Sequence, residues 1–331
     1  MNIRKLIALL LATCFVLSSA SAADLKIATM RLGSSWYVFG ATLYQLLKSE
    51  LPGGTRVEVL AKGGGIGNPI TVNSGKAALG ITNVATGQWA YEGHPEIYRG
   101  RAQKNIRALV GGLTPVSLTA VVRKDFLKKS GFSTLEDILT KRSRVRIVMK
   151  PRGSTVPVVA DILFEALGTD RKKIQANGGR IIQVDSKQVP AIMRDGRADL
   201  YLEVAPIGHP TTTEVCLTGD VTFLPVAEKT VAKMATKGLI PSSLPQVYQG
   251  QSGPIRSVDL GTMLIANASL SEDLAYLVTK TICENASTMA RAHKAWEAFD
   301  PTQAGRSELT GIPLHPGAAR YYRERGWLAQ P

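Results

Sequence analysis

Three local patterns occur twice in this chain, in the same order and about 120 residues apart, and that duplication restricts the possible folds more than any single motif does. Lys26-Ile27-Ala28-Thr29-Met30-Arg31-Leu32-Gly33-Ser34-Ser35 aligns without gaps to Arg146-Ile147-Val148-Met149-Lys150-Pro151-Arg152-Gly153-Ser154-Thr155. Each copy reads as a short apolar strand, a basic loop, and then Gly-Ser-Ser or Gly-Ser-Thr opening a helix. Arg56-Val57-Glu58-Val59-Leu60 matches Arg180-Ile181-Ile182-Gln183-Val184 as a second strand. Ser74-Gly75-Lys76-Ala77-Ala78-Leu79-Gly80-Ile81 matches Asp195-Gly196-Arg197-Ala198-Asp199-Leu200-Tyr201-Leu202, where a helix ends on a glycine and a third strand begins.

The duplication predicts an α/β chain of two similar lobes, each built β-α-β-α-β with a mainly parallel sheet and right-handed crossovers. Helical spacing supports the first helix of each unit: Phe39, Leu43, Leu46 and Leu47 share one face, as do Val158, Ile162, Leu163 and Ala166. Leu118–Val122 is expected to carry the chain into the second lobe, whose helix start at Ser133-Thr134-Leu135-Glu136 fits a capping box, and Gly261–Ala266 to carry it back. Lobe 1 is then residues 23–115 plus 260–331, and lobe 2 residues 116–259, with 238–254 read as an irregular connection. A single helix is predicted from Ser271 to Arg291. Two crossings between two lobes make a hinged clamp.

The N-terminus carries a separate message. Arg4 and Lys5 precede the apolar run Leu6–Leu17, and Ala20-Ser21-Ala22 follows, which reads as a secretory signal at residues 1–22 cleaved near Ala22-Ala23. The run is too short to cross a bilayer core that needs ~20 residues. Thr13 before Cys14 argues against lipidation. The mature chain is expected to be soluble, periplasmic and monomeric. Its formal charge of +14 falls to +12 once Arg4 and Lys5 are removed, a field that suits nucleic acid, anionic lipid or a small anion. Export and the lack of aromatics among the basic runs argue against nucleic acid. Cys216 and Cys283 remain; a disulfide between lobes would lock the hinge, so two buried free thiols are favoured.

In parallel sheets the ligand site lies at the carboxyl ends of the strands. The loops Gly33-Ser34-Ser35-Trp36-Tyr37 and Arg152-Gly153-Ser154-Thr155 therefore face one cleft, each at a helix start whose free N–H groups favour an anion. Ser34, Ser35, Ser154 and Thr155 add hydroxyls, Arg152 a forked guanidinium for a carboxylate, and Trp36 and Tyr37 a wall with a polar tip. Lys62-Gly63-Gly64-Gly65-Ile66-Gly67-Asn68-Pro69 fails as a dinucleotide fingerprint because Asn68 stands where the third glycine belongs. Asn68 is read instead as an N-cap with Pro69 at the first helical position, and Gly64, Gly65 and Asn68 as ligand contacts through close backbone approach. Thr82-Asn83 and Glu203 fall at strand ends beside the cleft, to read amide or hydroxyl groups. No Gly-x-Ser-x-Gly elbow, His-Glu-x-x-His or Cys-x-x-Cys is present, and the four histidines are scattered, so no enzyme, no metal and no cofactor is expected.

These residues, together with Val122-Arg123-Lys124-Asp125 and the C-terminal Ile312-Pro313-Leu314-His315-Pro316-Gly317-Ala318-Ala319-Arg320-Tyr321-Tyr322, resemble the TAXI family of solute-binding proteins that serve TRAP transporters. The resemblance implies a type II periplasmic-binding-protein fold, two similar α/β lobes joined by two hinge crossings. It also implies small carboxylate ligands such as glutamate or 2-oxoglutarate, and delivery to an ion-driven permease. Trp36-Tyr37 stands where relatives often carry two tyrosines, and Lys150-Pro151-Arg152 is more basic than the usual second loop. The ligand of this chain is therefore not inherited from the family. The competing readings are a receptor for an ATP-driven transporter or sensor kinase, and a secreted enzyme on the same two-lobed fold.

Overall fold

The computed structural model describes residues 24–51 and 53–330; the signal expected at 1–22 lies outside them. The first sheet takes β1 (Asp24–Ala28), β2 (Arg56–Leu60), β3 (Leu79–Thr82) and β4 (Ile106–Val110). The chain then builds β5 (Ser117–Arg123), β6 (Arg146–Met149), β7 (Arg180–Gln183), β8 (Leu200–Ala205), β9 (Val221–Phe223), β10 (Ile240–Leu244) and β11 (Ile255–Asp259) in a second sheet. It returns to the first sheet as β12 (Met263–Asn267). The orders are β2-β1-β3-β12-β4 and β10-β11-β5-β8-β6-β7, with β9 beside β5.

The same arrangement appears in both sheets. β2-β1-β3 and β7-β6-β8 are parallel triplets, and each triplet's third strand pairs antiparallel with the strand that follows a crossing between the sheets, β12 on β3 and β5 on β8. Ile27 lies opposite Leu79 and Ile147 opposite Leu200, as the sequence repeat requires. The second strand corrects that alignment. Lys26 pairs with Glu58 whereas Arg146 pairs with Arg180, so Glu58, not Arg56, is the counterpart of Arg180. A two-residue slip returns every side chain to the same face, so alternation in sequence cannot detect it.

Other local expectations shift for equally local reasons. The helix Leu135–Thr140 is capped by Thr134, whose hydroxyl accepts the Asp137 N–H, one residue later than the predicted box. Glu136 instead accepts from the Ala227 N–H. The helix predicted over 271–291 breaks at Asn285 into Glu272–Glu284 and Ala286–Ala292. The stretch 238–254 contains β10, an edge strand in which Pro241 is tolerated. In the helix Val156–Ala166 the buried face runs through Val156, Val159, Ala160, Leu163 and Phe164, while Val158 and Ile162 are only half-buried.

Three apolar clusters hold the molecule together. One belongs to the first sheet (Leu25, Phe39, Leu43, Trp296, Tyr321) and one to the second (Val121, Tyr201, Val215, Phe223). The largest is continuous between them, from Ala28, Val84 and Trp89 through Val116 and Leu260 to Ile147, Val159 and Leu202. Cys216 and Cys283 are free and buried, so no disulfide between them ties the lobes. No helix of the described residues is long and apolar enough to cross a membrane.

Candidate ligand-binding site

The two repeated loops adopt one conformation. Gly33 (φ +86°) and Gly153 (φ +93°) occupy the left-handed region, which a glycine enters without strain. The Ser34 hydroxyl donates to the Arg31 carbonyl at 2.8 Å, and the Ser154 hydroxyl to the Pro151 carbonyl at 2.9 Å. Beyond this turn run the helices Ser35–Glu50 and Val156–Ala166, both starting at the carboxyl ends of their sheets' parallel strands.

Between those helix starts lies a buried cavity of about 30 Å³, lined by Ser34, Ser35, Trp36, Gly65 and Asn83 from one lobe and by Lys150, Ser154, Thr155, Val204 and His209 from the other. Its volume accommodates one or two water-sized groups. Met30, Ser34, Lys150 and Ser154 also line an outer chamber of about 280 Å³, whose walls include Arg31, Arg152, Asp185 and Lys187. The lobes touch around the cavity. Thr155 Oγ1 donates to Asn83 Oδ1 at 2.8 Å, Arg31 pairs with Asp185 at the rim, and Gly64 lies against the Gly153 carbonyl. A Cβ on Gly64 would sit 2.7 Å from that oxygen, so the glycine-rich loop serves close approach of the opposite lobe.

The residues anticipated from sequence divide into three groups. Ser34, Ser35, Trp36, Gly65, Asn83, Ser154 and Thr155 line the inner cavity. Gly33, Tyr37, Gly64, Arg152 and Gly153 surround it without lining it: Arg152 is exposed in the outer chamber, and the half-buried Tyr37 donates its N–H to Ser34 Oγ. Asn68, Thr82 and Glu203 lie behind the cavity wall as fully buried supports. Asn68 is no N-cap: it sits inside the helix Gly67–Asn73, its amide donates to the Thr29 and Ile81 carbonyls at 2.6 and 2.7 Å, and its oxygen accepts the Gly64 N–H. That N–H is thereby withdrawn from any ligand. Thr82 donates to the Gly65 carbonyl at 2.9 Å. Glu203 accepts from the Tyr201 hydroxyl at 2.5 Å and the Val204 N–H at 2.8 Å, and pairs with Lys150 at 2.9 Å.

Lys150 and His209 were absent from the sequence-based set. Lys150 follows β6 directly and is the repeat counterpart of Met30, so the twin loops place a thioether and an ammonium at equivalent positions on the cavity wall. An ammonium in the place of its twin's thioether was the available signal. His209 caps the helix Pro210–Thr218 through Nδ1, and its Nε2 lies 3.5 Å from the Lys150 ammonium. Burial, reinforced by that ammonium, pushes His209 well below its ordinary range and keeps the ring neutral. Lys150 is therefore the one charged cation among the described residues lining the inner cavity. Most hydroxyls there are engaged, Ser34 and Ser154 with their own loops and Thr155 with Asn83. Ser35 Oγ is buried with no partner among the described residues.

Two α/β lobes with a cavity between their matched loops define the architecture of periplasmic binding proteins. The chain belongs to the NMT1-like family, whose model matches residues 27–326. It is similar in structure to MatC from Rhodopseudomonas palustris with bound malate, at a TM-score of 0.56 and 13% identity over 92% of this chain and 99% of that one. The alkanesulfonate-binding protein SsuA from Xanthomonas axonopodis pv. citri, bound to MOPS, matches at a TM-score of 0.49 and 14% identity over 91% and 83%. At 13% identity the likeness to MatC concerns the fold.

Proposed function

We propose that this chain is an extracytoplasmic solute receptor of the TAXI type. It captures a small carboxylate-bearing solute between its lobes and delivers it, unchanged, to a TRAP-type permease. The observation that carries the reading is the meeting of two repeat-related helix starts across one cavity that holds an ammonium and an unpartnered hydroxyl. Helix starts and a buried cation together favour an anion, and the cationic outer chamber draws one in. Residues 23–115 with 260–331 form one lobe and 116–259 the other. Ser34, Ser35, Trp36, Gly65, Asn83, Ser154 and Thr155 form the contact surface, with Arg152 guarding the entrance. Export follows from the N-terminal signal, and the receptor acts as a monomer. Malate bound to MatC is a ligand of the expected kind.

The inner cavity as it stands holds no more than a small head group, so the solute's remaining atoms extend into the outer chamber or hold the lobes slightly apart. Thermal melts with succinate, L-malate, 2-oxoglutarate, L-glutamate and methanesulfonate, against glucose and glycerol, test the proposal. A rise in melting temperature with at least one anion is expected, and mass spectrometry should recover that anion intact. Stabilisation by the neutral compounds alone, or turnover of the anion, overturns the reading.

A further inference from the structure

Lys150 and Glu203 form an ion pair with almost no exposure, 5% and 0% for the two side chains, at the wall of the inner cavity. Glu203 does not line the cavity; the Tyr201 hydroxyl and the Val204 N–H hold its carboxylate behind the wall that Lys150 forms. Lys150 is not similarly saturated. Its ammonium lies 2.9 Å from Glu203 Oε1, and the neighbouring His209 Nε2 stands at 3.5 Å, a long contact. Ser35, on the opposite lobe, lines the same cavity, and its Oγ is buried with no partner among the described residues. A buried hydroxyl without a partner is disfavoured, and a buried ammonium is stable only when its donors are satisfied. Both residues line the cavity and have donor capacity that the described residues leave unused.

We propose, resting on the receptor reading, that Lys150 rather than Arg152 is the cation that takes the ligand's acid group, with Ser35 as the second donor and Glu203 as a permanent internal counter-ion. The pair makes the pocket wall electrically neutral, which lets the lobes close without stranding a charge. It also sets the ligand's requirement: an acid head group small enough for the inner cavity, accepting from Lys150 and Ser35 simultaneously. Arg152 lies outside this cavity, exposed in the outer chamber, and acts on approach.

Removing Lys150 alone would strand Glu203, so the informative variant replaces both partners. Lys150→Met/Glu203→Gln is titrated calorimetrically beside the wild type, Ser35→Ala, Glu203→Gln and Arg152→Ala, with succinate, L-malate, 2-oxoglutarate, L-glutamate and methanesulfonate, and with succinamide as the neutral analogue. The double variant should keep its cooperative melt and bind the anion at least about tenfold more weakly, the scale of one charge-assisted hydrogen bond. Its preference for succinate over succinamide should vanish. Glu203→Gln should bind anions more tightly than the wild type, because the ammonium no longer shares its attraction. Ser35→Ala should lose several-fold, and Arg152→Ala should change affinity less than about threefold. A merely structural pair would lower the melting temperature and leave selectivity intact. A folded double variant that binds anions like the wild type, or an Arg152→Ala variant that alone abolishes binding, overturns this assignment while the receptor reading stands. A wild type that binds none of the anions overturns both.

Discussion

The Thr155 hydroxyl donates to Asn83 Oδ1 at 2.8 Å, joining the start of one lobe's helix to the end of the other lobe's strand β3. Asn83 is itself anchored by donating to the Gly261 carbonyl at 2.8 Å, beside the returning crossing. The bond thus ties the cavity wall directly to the segment through which the lobes are connected. Its loss in Thr155→Val leaves a buried amide oxygen unsatisfied and should cost about 1–3 kcal/mol in the closed form. Small-angle scattering should show a larger radius of gyration than the wild type, and anion affinity should fall several-fold. An unchanged radius with unchanged affinity would remove the latch role.

Gly65 lies against that same pair. A Cβ there would clash with Thr155 Oγ1 and lie 2.8 Å from Asn83 Oδ1. Gly65→Ala should therefore still fold, since the severest clash is with the opposite lobe and only the Asn83 amide must shift within its own, yet lose more than about tenfold in anion affinity because closure is blocked. Calorimetry of the purified variant, with its melt as control, checks this; full affinity would show that closure does not need the contact.

Asn68 offers the opposite behaviour. Four hydrogen bonds converge on its buried side chain and none reaches the cavity. Asn68→Ala removes the donor to the Ala28, Thr29 and Ile81 carbonyls and the acceptor of the Gly64 N–H, so a loss of about 3 kcal/mol or more is expected. Chemical denaturation measures it. Affinity per folded molecule should stay within a few-fold, and a selective loss of binding with intact stability would return Asn68 to the ligand.

Burial holds the His209 imidazole below its ordinary range, so below pH ~6.5 the unfolded chain takes up a proton that the folded one refuses. The resulting stability is fully present above that pH and declines as the pH falls, at no more than about 1.4 kcal/mol per pH unit for one such group. His293 and His315 are lowered by burial in the same direction. Melting temperatures between pH 7.5 and 5 should fall, and His209→Asn, which keeps a helix-capping oxygen, should flatten the slope. An equally steep slope in that variant would assign the effect elsewhere.

At the rim, Arg31 and Asp185 pair in the open, where such bridges contribute about 0–1 kcal/mol. Asp185→Asn should leave the melting temperature nearly unchanged and speed anion association at low salt, because the outer chamber loses its acid beside Arg31, Arg152 and Lys187. Stopped-flow fluorescence of Trp36 at two ionic strengths reads this. Association that is slower, or indifferent to salt, would contradict electrostatic capture.

Much of this architecture was legible in the order of residues. The repeat announced two β-α-β-α-β units, and the helix starts after Gly33 and Gly153 stand where the motifs placed them, because a glycine turn with a following hydroxyl is local chemistry. Alternation could not decide whether Arg56 or Glu58 matches Arg180, since a shift of two keeps every side chain on its face. Nor could loop composition separate lining from scaffolding. Asn68, Thr82 and Glu203 looked like contacts because they are polar and near strand ends, yet each is turned inward to satisfy buried groups.

The linear chain therefore determined the class of fold, the pairing of the two loops and the basic character of the cleft, all of which follow from short-range periodicity and charge. Only the tertiary packing, within each lobe and between the two, decided which groups among the described residues are left without a partner: Ser35 unpaired, Lys150 shared with Glu203, Arg152 outside. Hydrogen-bond satisfaction depends on neighbours distant in sequence, and a polar side chain becomes available to a ligand only where the surrounding structure leaves its donor unmet.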